Sequence, residues 1–577
     1  MDWRRWFPAV QWVPMLRDPK VLRTETLTGI YLALILIPQA AAYAQLAGLP
    51  PEVGLAAACL PVAVTALFGV ARPLQGGPTA LVALMTAAAL GPLAVAGGAV
   101  WIAYALTLSL LIGLFQVAVG LLRLGQLVNF LANPVAAGFA SAAAIIIATS
   151  QLGSLFGIDQ PREGWHFLGV GYVMLHIVDS VHWQTVALGA LTALLIILVR
   201  RVKPRLPAYL IAIGIATVVS WLTAFGANGG DIVGKLPVGL PPFGLPSLAV
   251  WTLADLLLPA ATIAMIGFVE TATVTRTLAA RSRQPMDFNH EMIGQGLANI
   301  TAGVAGGHPV SSSLTRSHYA WESGARTGFA ALVAAVVVGI TILFAAPLFE
   351  HVPRVALAVV IVLAIRRLVS FVPLKRAFQA RRQDGITGIV TFLLTLAVAP
   401  ALHQAVLVGV LLSLGLFLYR SMTPHAVVLG RHPDGTLRNA DLFRLPPCDQ
   451  ITIVRFDGPL YFANAGHFSD HVLAAMAAKP SLRYLIIDCS GIAEIDATGE
   501  QVLADVLQEL SEAGVMLVLC SVRSAVRDVL HRTGLLEKIG EEPIRRDADD
   551  ALAWVWPKLE PGHKDRCPLR VYPTDAT

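Results

Sequence analysis

Residues 306–316 read GGHPVSSSLTR, and residues 75–82 read QGGPTALV. Each stretch places a glycine pair and then a proline inside a region that is otherwise apolar. Glycine permits an irregular backbone, and proline suits the first turn of a helix, where its missing N–H costs nothing. Both stretches therefore predict an extended segment followed by the N-terminus of a short helix.

The side chains of the stretch 306–316 are suited to an anion. Ser311, Ser312, Ser313 and Thr315 carry hydroxyl groups at the predicted helix start, and Arg316 adds a positive charge. A helix N-terminus offers free N–H groups and the positive end of the helix dipole, which together attract anions. The alternative is a pair of ordinary Gly/Pro kinks whose hydroxyls bond their own helix carbonyls.

The composition places most of the chain in a membrane. Of 577 residues, 56% are hydrophobic and only 14% are charged. Charge-free stretches longer than the roughly 20 residues needed to cross a bilayer are Ala99–Leu122, Asn133–Ile158, Thr327–Phe349 and Gly385–Tyr419. Charged residues become frequent only after Arg420. The sequence thus predicts a polytopic membrane domain followed by a domain in water.

Hydropathy read against charge predicts fourteen transmembrane segments. They lie near 25–44, 53–70, 78–90, 99–122, 133–155, 183–199, 207–224, 252–275, 290–305, 310–320, 327–349, 354–368, 385–400 and 403–419. The third and tenth are too short to cross a bilayer alone. The fourteen segments divide into two halves of seven segments each, and the interrupted helix is the third segment of each half. This arrangement indicates inverted repeats with a substrate site at the midplane of the membrane.

Basic residues predict the orientation. They recur in alternate loops, for example at Arg17 and Lys20 and again at Arg200, Arg201 and Lys203. By the positive-inside rule this puts both termini in the cytoplasm. The net charge of +5 is spread over these loops, so we expect no nucleic-acid partner.

Catalytic and metal-binding patterns are not found in the sequence. No nucleophile–base pair, P-loop or metal-ligand spacing appears, so we expect no enzyme activity, cofactor or metal. Cys448, Cys489, Cys520 and Cys567 lie in the polar tail, and we expect reduced thiols there.

The tail alternates strand and helix patterns. Strands are predicted at 451–456, 484–488 and 515–520, and helices at 466–478, 498–513, 524–533 and 548–559. That order indicates a small α/β domain. The predicted domains are 1–423 in the membrane, a linker at 424–447, the α/β domain at 448–560 and a tail at 561–577.

Several motifs resemble those of the SulP family of anion transporters, which includes the SLC26 exchangers. In the membrane domain these are PQAAAYAQLAGLPP at 38–51, GPTALV at 77–82, GFVE at 267–270 and GLANI at 296–300. In the tail, GPLYFANA at 458–465, DCSG at 488–491 and IDATG at 495–499 resemble a STAS domain.

The resemblance implies a membrane all-α fold of fourteen segments in a seven-plus-seven inverted repeat, with core and gate domains and two half-helices. It also implies a cytoplasmic STAS domain and a homodimer. It places Gln39, Tyr43 and Thr79 beside the anion. The hydroxyls of Ser312, Ser313 and Thr315, with Arg316, complete the expected site.

Glu270 is expected to couple transport to an ion. It is an acidic residue deep in the eighth predicted segment, where an ionised carboxylate is costly, so the side chain is expected to carry a proton. The expected function is secondary active transport of a small inorganic oxyanion, sulfate first, across a bacterial inner membrane by proton symport or exchange.

Alternatives remain open. Within the same class they are sodium-coupled bicarbonate transport and proton-coupled C4-dicarboxylate transport. A different class is a membrane signalling or scaffold protein that uses the STAS domain to bind a cytosolic partner. Ala497 occupies the position where signalling relatives carry a phosphorylatable serine, which argues against that class.

Overall fold

The computed structural model describes residues 7–126, 132–161, 165–203, 206–235, 239, 243–246, 250–282, 286–366 and 368–570. Residue 367 of the predicted segment 354–368 and residues 571–577 of the predicted tail lie outside this description. The chain divides into two compact units, Met1–Ser413 and Leu414–Thr577.

Helices dominate the chain up to residue 422. The helices of the first half are α1 (Ala9–Trp12), α2 (Pro19–Leu46), α3 (Pro51–Ala57), α4 (Leu60–Phe68), α5 (Ala80–Leu90), α6 (Ala99–Leu121), α7 (Asn133–Ser150), α8 (Leu152–Phe156), α9 (His166–Ser180), α10 (Trp183–Val202) and α11 (Ala208–Leu222). Those of the second half are α12 (Val250–Ser282), α13 (Phe288–Val304), α14 (Leu314–Glu322), α15 (Phe329–Phe344), α16 (Arg354–Ile365), α17 (Val372–Ala380), α18 (Arg382–Ala397) and α19 (Leu402–Met422). Two two-residue strands, β1 (Gly76–Gly77) and β2 (Ser311–Ser312), precede α5 and α14.

The helices confirm the membrane prediction. Within the described residues, seven helical segments are long and apolar enough to cross a bilayer, and four apolar helices are shorter. Every predicted segment coincides with at least one helix. The hydropathy pattern missed α9, whose sequence includes two histidines and an aspartate, and α17, which is short and basic.

Two short helices stand where the third and tenth segments were predicted. Helix α5 has 11 residues and α14 has 9. At 1.5 Å per residue they span about 16 and 14 Å, roughly half the bilayer core. We call α5 the first half-helix and α14 the second half-helix.

Glycines let the helices around the half-helices approach closely. A Cβ added at Gly113 of α6 would lie 2.5 Å from the carbonyl oxygen of Gly296 on α13. A Cβ at Gly296 would lie 2.8 Å from the carbonyl oxygen of Gly113. Small residues at helix crossings of this kind replace the hydrophobic driving force that lipid cannot supply.

The second unit is an α/β domain. Its strands are β3 (His425–Arg431), β4 (Leu437–Asn439), β5 (Ile451–Asp457), β6 (Tyr484–Asp488), β7 (Met516–Cys520) and β8 (Ile544–Arg545), in the sheet order β4-β3-β5-β6-β7-β8. Its helices are α20 (Ala440–Phe443), α21 (Ala465–Ala477), α22 (Ala497–Glu512), α23 (Ser524–Arg532), α24 (Leu535–Ile539), α25 (Ala548–Val555) and α26 (Pro561–Lys564). Strands β5 to β8 are parallel, whereas β3 pairs antiparallel with β4 and β5.

Alternating side chains give this sheet two buried faces. Val454, Leu485 and Leu517 belong to one cluster, with residues of α21, α22 and α23. Ile453 and Ile486 belong to a second cluster, with residues of α25. The α/β prediction and its three strands are confirmed.

Two expectations for this unit differ from the structure. The segment 424–447, predicted to be a linker, contains β3 and β4, and β3 pairs with β5. The expectation of reduced thiols is wrong for Cys448 and Cys567, which form a disulfide with Cα atoms 5.1 Å apart. Their separation of 119 residues hides this proximity from a spacing argument. Cys489 and Cys520 are free and buried.

Candidate substrate site

The two half-helices begin at a shared strand pair. Gly76 lies opposite Ser312 and Gly77 opposite Ser311 in an antiparallel arrangement. The N–H of Ser313 donates to the Gln75 carbonyl over 2.9 Å. Gly77 has φ +124°, which side-chain-bearing residues rarely adopt. The pairing brings the N-termini of both half-helices, with their free N–H groups and positive dipole ends, to one buried region.

Thr79 connects the first half-helix to Glu270. It is the N-cap residue of α5, yet its side chain does not cap that helix. Instead, Thr79 Oγ1 donates to Glu270 Oε2 over 3.2 Å. Thr79 is buried and Glu270 is partly buried. The coupling residue expected from the sequence therefore contacts an expected substrate residue.

Helix α12 also holds β2. Ser311 Oγ donates to the Gly267 carbonyl over 2.8 Å, and Thr271 Oγ1 donates to Ser312 Oγ over 3.1 Å. Both serines are buried. The Ser311 hydroxyl is thus engaged with the backbone, whereas Ser312 accepts from Thr271 and keeps its own hydroxyl hydrogen for another acceptor.

Arg316 ties the second half-helix to β1 and α2. It is 2% exposed. Its Nη1 donates to Gln39 Oε1 over 3.1 Å, and Nη1 and Nη2 both lie 3.3 Å from the Pro78 carbonyl. Nη2 also donates to the Gly76 carbonyl over 3.2 Å. Neutral carbonyl oxygens accept these hydrogen bonds, and the Glu270 carboxyl is close enough to interact electrostatically with the cation.

The remaining expected residues lie around this cluster. Ser313 is the N-cap of α14, where its Oγ accepts from the Arg316 N–H over 3.4 Å. Tyr43 is buried one turn after Gln39 on α2. Thr315 lies on the exposed side of the second half-helix, beside Leu314, which is 50% exposed. The hydrogen bonds unite Gln39, Thr79, Ser312, Ser313, Arg316 and Glu270 with the strand pair and α12; among the described residues they include neither the Tyr43 nor the Thr315 side chain.

Sequence reasoning missed the role of Asn299. Its side chain on α13 pairs with both backbone groups of Val310, accepting from the N–H over 2.8 Å and donating to the carbonyl over 3.1 Å. Asn299 Nδ2 also donates to Gln116 Oε1 over 3.0 Å, and Gln116 Nε2 donates to the Ala264 carbonyl over 3.1 Å. Both amides are fully buried. Asn299 thus fixes the residue that leads into β2, and a polar amide in an apolar segment was the available signal.

The IDATG turn of the second unit has a structural explanation. Asp496 caps α22, with Oδ1 accepting from the Gly499 N–H over 2.8 Å. Its Oδ2 accepts from the Phe462 N–H over 2.9 Å. Both carboxylate oxygens are therefore used to shape this turn.

Buried hydroxyl, amide and guanidinium groups between two half-helices define a broken-helix membrane transport protein. The family profile described as "Sulfate permease family" matches residues 22–391, and that described as "STAS domain" matches residues 445–551. The chain belongs to the sulfate permease family. It is a multi-pass membrane anion transporter with a STAS domain, and not an enzyme.

Curated relatives match along nearly the whole chain. A probable sulfate transporter of Mycobacterium tuberculosis is 35% identical over 527 residues, which cover 91% of this chain and 93% of the relative. The chloroplastic sulfate transporter 4.1 of Arabidopsis thaliana is 31% identical over 558 residues, which cover 93% and 80% respectively.

Solved structures share the fold. The overall structure of SLC26A9 superposes with a TM-score of 0.88 at 21% identity, covering 96% of this chain and 93% of that one. The transmembrane domain of the cyanobacterial bicarbonate transporter BicA gives a TM-score of 0.58 at 26% identity, covering 68% and 97% respectively. The membrane all-α fold with a C-terminal STAS domain is thereby confirmed.

Proposed function

We propose that this protein carries sulfate across a bacterial inner membrane by secondary active transport with alternating access. The main support is the buried cluster in which Arg316 donates to neutral carbonyl oxygens beside the N-termini of both half-helices. Such a site attracts an oxyanion through dipoles and one cation, and can release it again. Two relatives at 35% and 31% identity are named sulfate transporters, which supports sulfate within the class.

In this proposal the anion occupies the space between the half-helix N-termini. Because Gln39 Oε1 is taken by Arg316, the Gln39 amide N–H groups serve as donors to the anion. Ser312 and Ser313 contribute hydroxyls, and Tyr43 forms a wall of the pocket. Thr315 lies on the exposed side of its helix, where it meets the anion as the anion enters or leaves.

Thr79 and Glu270 form the coupling element of the proposal. The Thr79 hydroxyl donates to Glu270 Oε2, which stabilises the carboxylate without cancelling its charge. Binding of a proton to Glu270 removes that negative charge from the neighbourhood of a doubly negative substrate. The protein then carries the anion together with the proton, which is symport. If the proton stays bound to Glu270, the protein exchanges one anion for another.

The proposal includes the orientation and the assembly of the protein. Both termini are cytoplasmic, and two copies of the chain form a homodimer. The STAS domain regulates or assembles the transporter, and it can do so by binding a cytosolic partner. Basic loops such as Arg200, Arg201 and Lys203 support this orientation.

Sodium-coupled bicarbonate transport is the second candidate. The likeness to BicA, at 26% identity over its transmembrane domain, favours it specifically. In that case Glu270 and the neighbouring Thr271 provide oxygen ligands for sodium.

Calorimetric titration of the purified protein separates the two candidates. Sulfate is expected to bind, and Ser313→Ala is expected to weaken that binding about fivefold, the equivalent of one hydrogen bond. Ser323→Ala, at the other end of the same half-helix, is the matched control. Heat from bicarbonate in the presence of sodium, with none from sulfate, would replace the first candidate by the second.

A further inference from the structure

In the sequence, helix α17 lies between α16, an apolar helix, and α18, which carries no charge from Gly385 onward. The helix and the segment before it are held against the membrane unit. Leu374 of α17 is 6% exposed, and the carbonyls of Leu368 and Ser370, which precede the helix, accept from Ser141 Oγ on α7 over 3.3 and 3.1 Å. A helix held directly between the ends of two apolar helices is positioned at the boundary between hydrocarbon and headgroups.

The exposed residues of α17 and of the positions directly flanking it combine aromatic rings with cations. Phe371 is 53% exposed and Phe378 is 43% exposed. The exposed basic residues around them are Lys375, Arg376, Arg381 and Arg382. Among the residues that the structure describes, these four cations form no ion pair. We call these six residues the basic–aromatic surface.

We propose that the basic–aromatic surface binds the phosphate headgroups of anionic phospholipids. Amphipathic helices with aromatic and basic residues lie in the membrane interface, with the rings among the upper acyl chains and the cations among headgroups. Each lysine or arginine near an anionic membrane surface adds measurable attraction. An acidic protein surface would satisfy the cations alone, whereas a lipid also satisfies Phe371 and Phe378.

The test measures lipid selectivity of the full-length protein. Purified protein is reconstituted in phosphatidylcholine vesicles that contain a trace of spin-labelled phosphatidylglycerol or spin-labelled phosphatidylcholine. Electron spin resonance then gives the association of each label with the protein. We expect phosphatidylglycerol to be preferred, and we expect K375E/R376E to reduce the preference at least fivefold. Added salt is expected to weaken it as well, because the cations are exposed.

Two controls keep the test specific. The exchange K375R/R376K keeps both charges and should keep the preference. The pair R532E/K538E makes the same change of net charge on exposed residues of the STAS unit and should also keep it. Equal association of the two lipids with the wild type, or an unchanged preference in K375E/R376E, would overturn the proposal.

A second pair of variants tests the aromatic contribution. F371S/F378S should lower the association of both labels and leave the salt dependence of the preference unchanged. If K375E/R376E instead changed only the oligomeric state, with lipid selectivity intact, the surface would be assigned to a protein partner and the proposal would fail.

Discussion

Thr79 and Glu270 belong to opposite halves of the membrane unit, and a hydrogen bond of 3.2 Å joins their side chains. The first half supplies the N-cap of a half-helix, and the second half supplies the carboxylate. A change in the charge of Glu270 therefore acts directly at the start of the first half-helix. This contact gives the transport proposal a physical route from proton binding to substrate binding.

Replacing Glu270 by Gln should remove proton coupling. Gln keeps an oxygen that accepts from Thr79, but it cannot take up a proton. Moving uncompensated charge against the membrane potential costs about 2.3 kcal/mol per charge per 100 mV, and co-moving protons offset that cost. Wild-type uptake should quicken under an inward proton gradient, and the Glu270→Gln variant should lose that acceleration while retaining sulfate exchange.

The measurement imposes pH and sodium gradients separately on proteoliposomes. Asp255→Asn, at an exposed position of the same helix, is the matched control and should keep the pH response. A Gln variant with the full pH response would exclude Glu270 as the proton carrier. Acceleration by sodium alone would assign the coupling to sodium.

Removing hydroxyls of the second half-helix should weaken substrate affinity. Ser313→Ala loses both a candidate anion donor and the helix cap that accepts from the Arg316 N–H, so KM should rise at least fivefold, or about 1 kcal/mol. Thr315→Ala, outside the hydrogen-bonded cluster, should raise KM by no more than that. Ser313→Thr keeps a hydroxyl at the cap and should restore affinity. Wild-type KM in Ser313→Ala and Thr315→Ala would contradict the assigned site.

Asn299→Asp should disturb the substrate site from a distance. The substitution preserves the acceptor for the Val310 N–H but removes the donor to the Val310 carbonyl and to Gln116. Leaving these buried groups unpaired should lower the free energy of unfolding by about 1–3 kcal/mol and raise the KM for sulfate. Asn289→Asp is the control, since Asn289 acts as an acceptor for the Gly125 N–H and a carboxylate can do the same. A variant that lost stability with an unchanged KM would show that Asn299 does not position the site.

Removal of the STAS domain should leave ion selectivity intact. Because β3 pairs with β5, a chain ending at residue 423 removes the whole sheet. A chain ending at 439 leaves β3 and β4 without their partner. The chain that ends at residue 423 should therefore be the better expressed of the two. Its transport rate should be lower than that of the full chain. A changed ratio of sulfate to bicarbonate uptake in a folded truncation would contradict a purely regulatory role.

The sequence predicted features that depend on neighbouring residues. The glycine pairs and prolines before α5 and α14 are local signals, so the half-helices were found. An isolated acid in an apolar segment likewise made Glu270 a candidate coupling residue, which stays a prediction. Contacts between distant residues were not predictable from spacing, and so the Asn299–Val310 pairing and the Cys448–Cys567 bond were missed. Strand β3 was missed because HAVVLGR follows α19 immediately, and its strand character depends on pairing with β5.

Sulfate uptake into proteoliposomes is the direct test of sulfate transport by this protein. Purified full-length protein is reconstituted, and labelled sulfate, bicarbonate and a C4-dicarboxylate are offered under an inward proton gradient. We predict saturable uptake of sulfate that exceeds the other two anions and that Ser313→Ala weakens. Sulfate uptake no faster than in protein-free liposomes, together with saturable uptake of another anion, would contradict the proposal that the protein transports sulfate.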